Sequence, residues 1–402
     1  MYWCNRLALV LMGLSLLALT GCGALNTVDN SEQIPQREYW PTDNWQRRAV
    51  VAPDGSFLFK DLSTQIGSEL PFVNSFMVVS RGYIVYEDYF NGLQPGDLQL
   101  VQSVAKSVTS TLVGIALDRG DIPLLDVTLG EVLSEYFEND QSTISPNISI
   151  RDALMMRSGI SYDTVSAKLA GEFENLDAYD VYLDTQLQEH LIDDVLSVPQ
   201  AYDPGMAWQY STADTQLVSE MFQKLVGQSL SEYAGQYLFP PLGIKNDYIW
   251  RHDAKDVTVG GALLWLRPVD LLKLGYLFLN NGYWDGNKVV SKEWVQASTK
   301  PQGIAINTTP FAIRRITNYG YFWWLWEPGS FGMPNGAYQA LGYGGQIILV
   351  LPDIDTVIVT TSNPLVNVQV SDEQQWAIIK FIDQYVIREL TSQKESLQFI
   401  GK

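Results

Sequence analysis

Sulfur and imidazole are scarce in this chain, which has two cysteines and two histidines in 402 residues. Both cysteines, Cys4 and Cys22, stand at the very start. The body of the chain therefore holds no thiol for a disulfide, a thiolate nucleophile or a zinc–sulfur site. His190 and His252 lack the H-x-x-x-H spacing that would put both on one helical face, so each reads as a surface or hydrogen-bonded histidine. No metal and no cofactor is expected. Positive charge is also short: 26 Lys and Arg face 45 Asp and Glu, a net charge of −19. So acidic a surface repels phosphate backbones and argues against a nucleic-acid partner. The acidic stretch Glu172–Asp194 lacks a calcium-loop pattern and reads as a solvated helical face. No internal repeat is visible, and no G-x-S-x-G nucleophile elbow follows the first 21 residues. Stability must come from packing, for which 46% hydrophobic and 12% aromatic content is ample. Single cores stop growing near roughly 250–300 residues, so a two-lobed unit is expected.

Long apolar runs are missing as well. The longest, Leu7–Leu19, follows one cation (Arg6) and ends in small residues before Cys22. It is short for a membrane span and reads as the core of a signal peptide, residues 1–21. Leu19-Thr20-Gly21-Cys22 resembles the bacterial lipoprotein box, which implies lipidation of Cys22 and an exported protein anchored in the cell envelope. Gly23 is compatible with outer-membrane sorting if the cell is Gram-negative. Residues 22–48 are polar and proline-containing, a tether to a domain spanning 49–395.

Within that domain, two β-rich runs, Phe76–Ser80 and Tyr83–Tyr89, flank Arg81-Gly82 as a hairpin. Strand patterns return in the last third, in "YFWWLW", "GQIILVLPD" and "DTVIVTTSN". The first alternates faces, so one or two of its rings are candidates to line a substrate site. Helical patterns fill the middle, at Leu98–Gly120, Thr212–Val226, Leu230–Tyr237 and Val269–Asn280, and an amphipathic helix closes the chain at about Asp372–Glu389. The expected fold is α/β of the α+β type, with a mainly antiparallel sheet built from both chain ends. Its α/β lobe would take about 49–120 and 285–395, with an all-helical lobe at about 121–284.

Three short stretches carry chemistry. Ser103 and Lys106 lie three apart at a helix start and share a face. The positive helix end and the apolar neighbours Val104, Ala105 and Val108 both disfavour an ammonium there. A neutral amine beside a hydroxyl is a general base beside its nucleophile. In "YDPGMAWQYSTAD", a Pro204-Gly205 turn leads to a helix capped by Ser211 or Thr212, with Tyr210 at its mouth as a proton-relaying phenol. In "AYQALGYGGQIILVLPD", Gly342, Gly344 and Gly345 permit close backbone approach to another group.

In this order, S-x-x-K, Y-S-x and a glycine-rich strand entry resemble the serine β-lactamase and penicillin-recognising hydrolase family. The nearest likeness is to its class C-like, esterase and nylon-oligomer hydrolase branch. "GDIPLLDVTLGEVL", "ISIRDALMMRSGI", "GGALLWLRPVDLLKLGYLFLNNG" and "SKEWV" resemble further family landmarks, so the likeness covers about Tyr83–Thr361. It implies Ser103 as nucleophile, Lys106 as base and Tyr210 as proton shuttle. It also implies an oxyanion hole from the backbone N–H groups of Ser103 and Tyr343, if the third motif is Ala340-Leu341-Gly342. Tyr343-Gly344-Gly345 is the alternative register, with Gln346 as donor. Thr212 stands where the family has an Asn amide, and Ala340 where it often has Lys or His. With Gly342 and Gly344, these are the expected substrate contacts. The missing cation counts against β-lactam or D,D-peptidase activity. The implied function is hydrolysis of a small ester or amide through an acyl-enzyme. A β-lactamase or peptidoglycan-trimming enzyme and a non-turnover sensor lipoprotein are the alternatives, and oligomeric state is left open.

Overall fold

The computed structural model describes residues 35–138, 142–171, 173–245, 247–302, 316–392 and 396–401. The expected signal peptide, Cys22 and the first part of the tether lie outside the described residues. In chain order the central strands are β1 (Val73–Ser80), β2 (Tyr83–Tyr89), β3 (Ile316–Tyr319), β4 (Trp324–Trp326), β5 (Tyr338–Gly342), β6 (Gln346–Leu351) and β7 (Thr356–Ser362). Across the sheet they run β2-β1-β7-β6-β5-β4-β3, every neighbour antiparallel. The sheet is thus assembled from both chain ends, joined where Met77 faces Val359. Arg81 (φ 52°) and Gly82 (φ 85°) both take positive φ in the β1–β2 hairpin, the primed turn that suits strand twist.

The helices that position the site are α1 (Val104–Arg119), α2 (Thr164–Leu169), α3 (Thr212–Val226), α4 (Pro268–Leu279) and α5 (Val368–Ile382). On one sheet face Gly275 of α4 sits against Val357 and Ile348. On the other, Phe381 of α5 meets Phe76 edge-on with centroids 5.8 Å apart. Covered on both sides, β6 and β7 are buried along their whole length; Ile347–Leu351 of β6 reads as an apolar run for that reason, whereas β7 buries the hydroxyls of Thr356, Thr360, Thr361 and Ser362 beside its apolar centre.

Several expected boundaries move. The helix expected from Leu98 starts at Val104, because Gln99–Leu100 pairs as a strand with Leu266 and Trp265 and Gln102 adopts φ 49°. In the aromatic run only Trp324–Trp326 is strand; Phe322 at φ 59° breaks the alternation before it. The last helix begins four residues early, capped by Asn367. Helix α4 falls in the stretch assigned to the helical lobe yet packs on the sheet, since its small Gly275 lets the two come close. From Pro35 on, the expected tether is fastened to the domain. Arg37 clamps Asp355 through two hydrogen bonds (2.6 and 2.8 Å) and reaches Asn280, and Trp45 is buried. Arg48–Val51 pairs with Gln398–Gly401, so the domain also runs past 395. Among the described residues no helix is long and apolar enough to cross a membrane.

A Cβ at Gly114, inside α1, would overlap the Trp294 indole. Helix propensity alone favours Ala over Gly by about 1 kcal/mol, whereas overpacking costs about 1–3 kcal/mol. Gly114→Ala should therefore lower the urea-unfolding free energy, and a rise would show that the indole moves aside freely.

Candidate active site

Helix α1 starts at Ser103 without using it as a cap. Ser103 holds the N-cap position, but its side chain makes no capping hydrogen bond. Its Oγ lies instead 2.9 Å from Lys106 Nζ and is hydrogen-bonded to Tyr210. The preceding residue, Gln102, sits in the left-handed region where a non-glycine residue is strained.

Lys106 is 1% exposed. Its Nζ has three oxygen neighbours: Ser103 Oγ, Thr212 Oγ1 at 3.0 Å and the Gly261 carbonyl at 2.9 Å. A Cβ at Gly261 would lie 2.6 Å from Thr212 Cγ2, so this glycine is what lets a main-chain carbonyl reach the amine. Burial pushes the Lys106 pKa down from 10.5 to about 7, against the upward pull of Asp163 and Asp214.

Tyr210 stacks on Trp324 (5.2 Å, 28°) and meets Tyr319 edge-on. Burial raises its phenol pKa well above the usual range, so the ring oxygen keeps its proton at neutral pH. Asp214, buried in the first turn of α3 and bonded by Ser158 Oγ (2.5 Å), has its pKa raised by burial to about 8.

Ser103, Tyr210, Thr212, Gly342 and Tyr343 line one cavity of about 420 Å³. A Cβ at Gly342 would collide with the Val101 carbonyl, so the bare glycine brings the end of β5 up to the loop that carries Ser103. Tyr343 follows directly at the cavity wall, while Gln346 is fully buried and outside the cavity lining, its side-chain Nε2 donating to the Ser362 carbonyl.

A model of the beta-lactamase family matches residues 74–380. The chain belongs to the beta-lactamase family. It is a serine hydrolase, as the order of its motifs implied. Within the curated relatives, it is 24% identical over 292 residues to a 6-aminohexanoate-dimer hydrolase of Paenarthrobacter ureafaciens, covering 72% of each chain. Among solved structures, a penicillin-binding protein from Bacillus halodurans aligns at 16% identity and TM-score 0.59, over 79% of this chain and 98% of that one. A family VIII carboxylesterase aligns at 15% and TM-score 0.58, over 82% and 97%. At these identities the two structures show the fold alone.

Two expected substrate contacts of this beta-lactamase-family chain fall elsewhere. Ala340 is fully buried in β5, two residues back from the strand end that opens on the cavity. Gly344 (φ 82°) abuts the Asn363 carbonyl and gives its N–H to Ser371 Oγ, so it braces the turn behind the cavity wall. Trp324 is the ring of the aromatic run that lines the site. Asp163, Ser166, Gly261 and the apolar wall of Leu169, Tyr179 and Leu365 had no signal of their own beyond the Gly260-Gly261 pair.

One His–carboxylate cluster lies away from the cavity. His190 Nε2 is 3.1 Å from Glu220 Oε1 and 4.0 Å from Asp253 Oδ2. The Asp253 carboxylate already accepts from the backbone N–H groups of Leu191, Lys255 and Val257. The cluster therefore serves as a hydrogen-bonded knot tying helix Leu191–Leu196 to α3. As expected, His190 is a hydrogen-bonded histidine.

Asp163 holds the site's two helix starts together. Its carboxylate accepts from Ser166 N (2.8 Å) at the head of α2 and from Thr212 N (2.5 Å) and Ala213 N (3.1 Å) at the head of α3. Each lost cap costs about 0.5–2 kcal/mol. Ser211 remains the N-cap of α3, so Asp163→Ala removes one cap outright and should destabilise the fold by about 0.5–2 kcal/mol in chemical unfolding. A change under 0.5 kcal/mol would mean that neither helix start depends on it.

Proposed function

We propose that Ser103 is the nucleophile of an acyl-enzyme mechanism acting on uncharged esters or amides with an apolar acyl group. The observation that carries this reading is the Lys106 amine, closed off from solvent and 2.9 Å from a serine hydroxyl that opens on the cavity. A neutral amine has two N–H donors and one lone pair. Gly261 O can only accept, and Thr212 Oγ1 takes the second N–H, which turns the lone pair toward Ser103. Lys106 removes the Ser103 proton as Oγ attacks the carbonyl carbon. Tyr210, neutral and bonded to Ser103, relays protons at that oxygen. The backbone N–H groups of Ser103 and Tyr343 are the oxyanion donors, each commonly worth about 2.7–4 kcal/mol.

The substrate class follows from the walls. Among the described residues lining the cavity none is charged, and Leu169, Leu341, Leu365, Val368 and Trp324 supply apolar surface. A substrate carboxylate would find no cation among these residues to offset its desolvation. This favours a neutral acyl chain over a β-lactam or a peptidoglycan stem. The relative from Paenarthrobacter ureafaciens, a 6-aminohexanoate-dimer hydrolase, supports amide as well as ester cleavage. Residues 1–22 support export and anchoring of this enzyme through a lipidated Cys22 at the envelope.

Ser103→Ala should abolish both fluorophosphonate labelling and hydrolysis of short-chain esters; labelling equal to wild type overturns the assignment. Because the working form of Lys106 is the free amine, kcat/KM should rise as pH increases through about 7 and then level off. A profile that falls over that interval would exclude Lys106 as the base. Cys22→Ala should release the exported protein from the membrane fraction, and a variant still retained there would refute the anchor.

A further inference from the structure

Ser166 belongs to none of the three motifs, yet the fold sets it at the end of a line of hydroxyls. Its Oγ lies 2.6 Å from Thr212 Oγ1, which lies 3.0 Å from Lys106 Nζ. The direction of each proton follows by elimination. Lys106 in its charged form only donates, so Thr212 Oγ1 accepts from it and turns its own single proton to Ser166 Oγ. Ser166 Oγ accepts that bond, and its own proton is left for the cavity it lines. The line points outward, from the amine to the substrate.

After attack, Ser103 Oγ is bonded to the acyl carbon and has no proton to pass. Tyr210 is linked to that same oxygen. The charged Lys106 still has the Thr212–Ser166 path. We infer that Ser166 is a second proton outlet, the general acid that protonates the departing alkoxide or amine. As the bond from the acyl carbon to the leaving atom breaks, that atom takes the Ser166 proton with the bond's electron pair held on it. Ser166 takes the proton of Thr212, Thr212 takes one from Lys106, and the amine is neutral again. The net change is one proton moved from Ser103 to the leaving group. Water entering the vacated place can send a proton back along the same path to begin deacylation, by microscopic reversibility.

The inference deepens the Ser103 reading by naming a substrate class: esters and amides whose leaving group is too basic to depart unprotonated. An activated aryl ester needs no such donor. The test compares ethyl butyrate with 4-nitrophenyl butyrate, which share an acyl group, using kcat/KM as the measure of acylation. General acid catalysis typically contributes 10²–10⁴-fold. Ser166→Ala should therefore lose about 100-fold more on the ethyl ester than on the aryl ester, and Ser166→Thr should recover most of that difference. Thr212→Val, which keeps the shape and breaks the line one step earlier, should lose activity on both esters because it also frees a Lys106 N–H, but by about 100-fold more on the ethyl ester, and it covers the case in which Ser166→Ala fails to fold. Equal losses on the two esters in these variants overturn the outlet while leaving Ser103 as nucleophile. A wild-type enzyme that hydrolyses neither ester and takes no fluorophosphonate label overturns both.

Discussion

An amine without water is the constraint on which this structure turns. Lys106 is enclosed by packed side chains, and the oxygens that approach it are a serine hydroxyl, a threonine hydroxyl and a glycine carbonyl. None of them carries a charge; the Tyr210 ring face, 5.1 Å from Nζ, and the more distant Asp163 and Asp214 are what favour an ammonium. Burial wins that competition and brings the pKa to about 7. The cost is a buried basic group that must be either neutral or transiently charged, which suits a base that takes up and returns a proton in every cycle.

Holding the amine in that state takes parts from distant stretches of chain. Helix α1 supplies Ser103 and Lys106, α3 supplies Thr212, and the loop ahead of α4 supplies Gly261. Asp163 locks the first turn of α2 to that of α3 by accepting from three backbone N–H groups. Bare glycines do the rest. At 261 the backbone reaches the amine, and at 342 the end of β5 comes against Val101, two residues from Ser103. The sheet sets these distances because β5, β6 and β7 are buried throughout and cannot slide without exposing apolar faces.

What could be read from residues alone divides along physical lines. Strand and helix existence was legible where periodicity was strong: Thr212–Val226 matches to the residue, and Tyr83–Tyr89 does likewise. Boundaries failed where a positive φ intervened, as at Gln102 and Phe322, because no side-chain pattern announces a left-handed non-glycine residue. That Ser103, Lys106 and Tyr210 meet was legible because their relation is local or motif-borne. Ala340 and Gly344 were misplaced because a motif position does not say which side of a strand end opens on a cavity. Ser166 was invisible, since its role depends on a hydroxyl 46 positions away in sequence.

By itself, the sequence determined the family, the sheet drawn from both chain ends, and the pairing of a hydroxyl with an amine one helical turn apart; these rest on spacing and periodicity, which are properties of neighbouring residues. Only the tertiary structure decided that the amine is buried, that its third partner is a glycine carbonyl, and that the described residues lining the cavity around Ser103 carry no charge. Those depend on which distant surfaces meet, and burial, the source of the shifted pKa, is defined by everything that surrounds a group rather than by its own place in the chain.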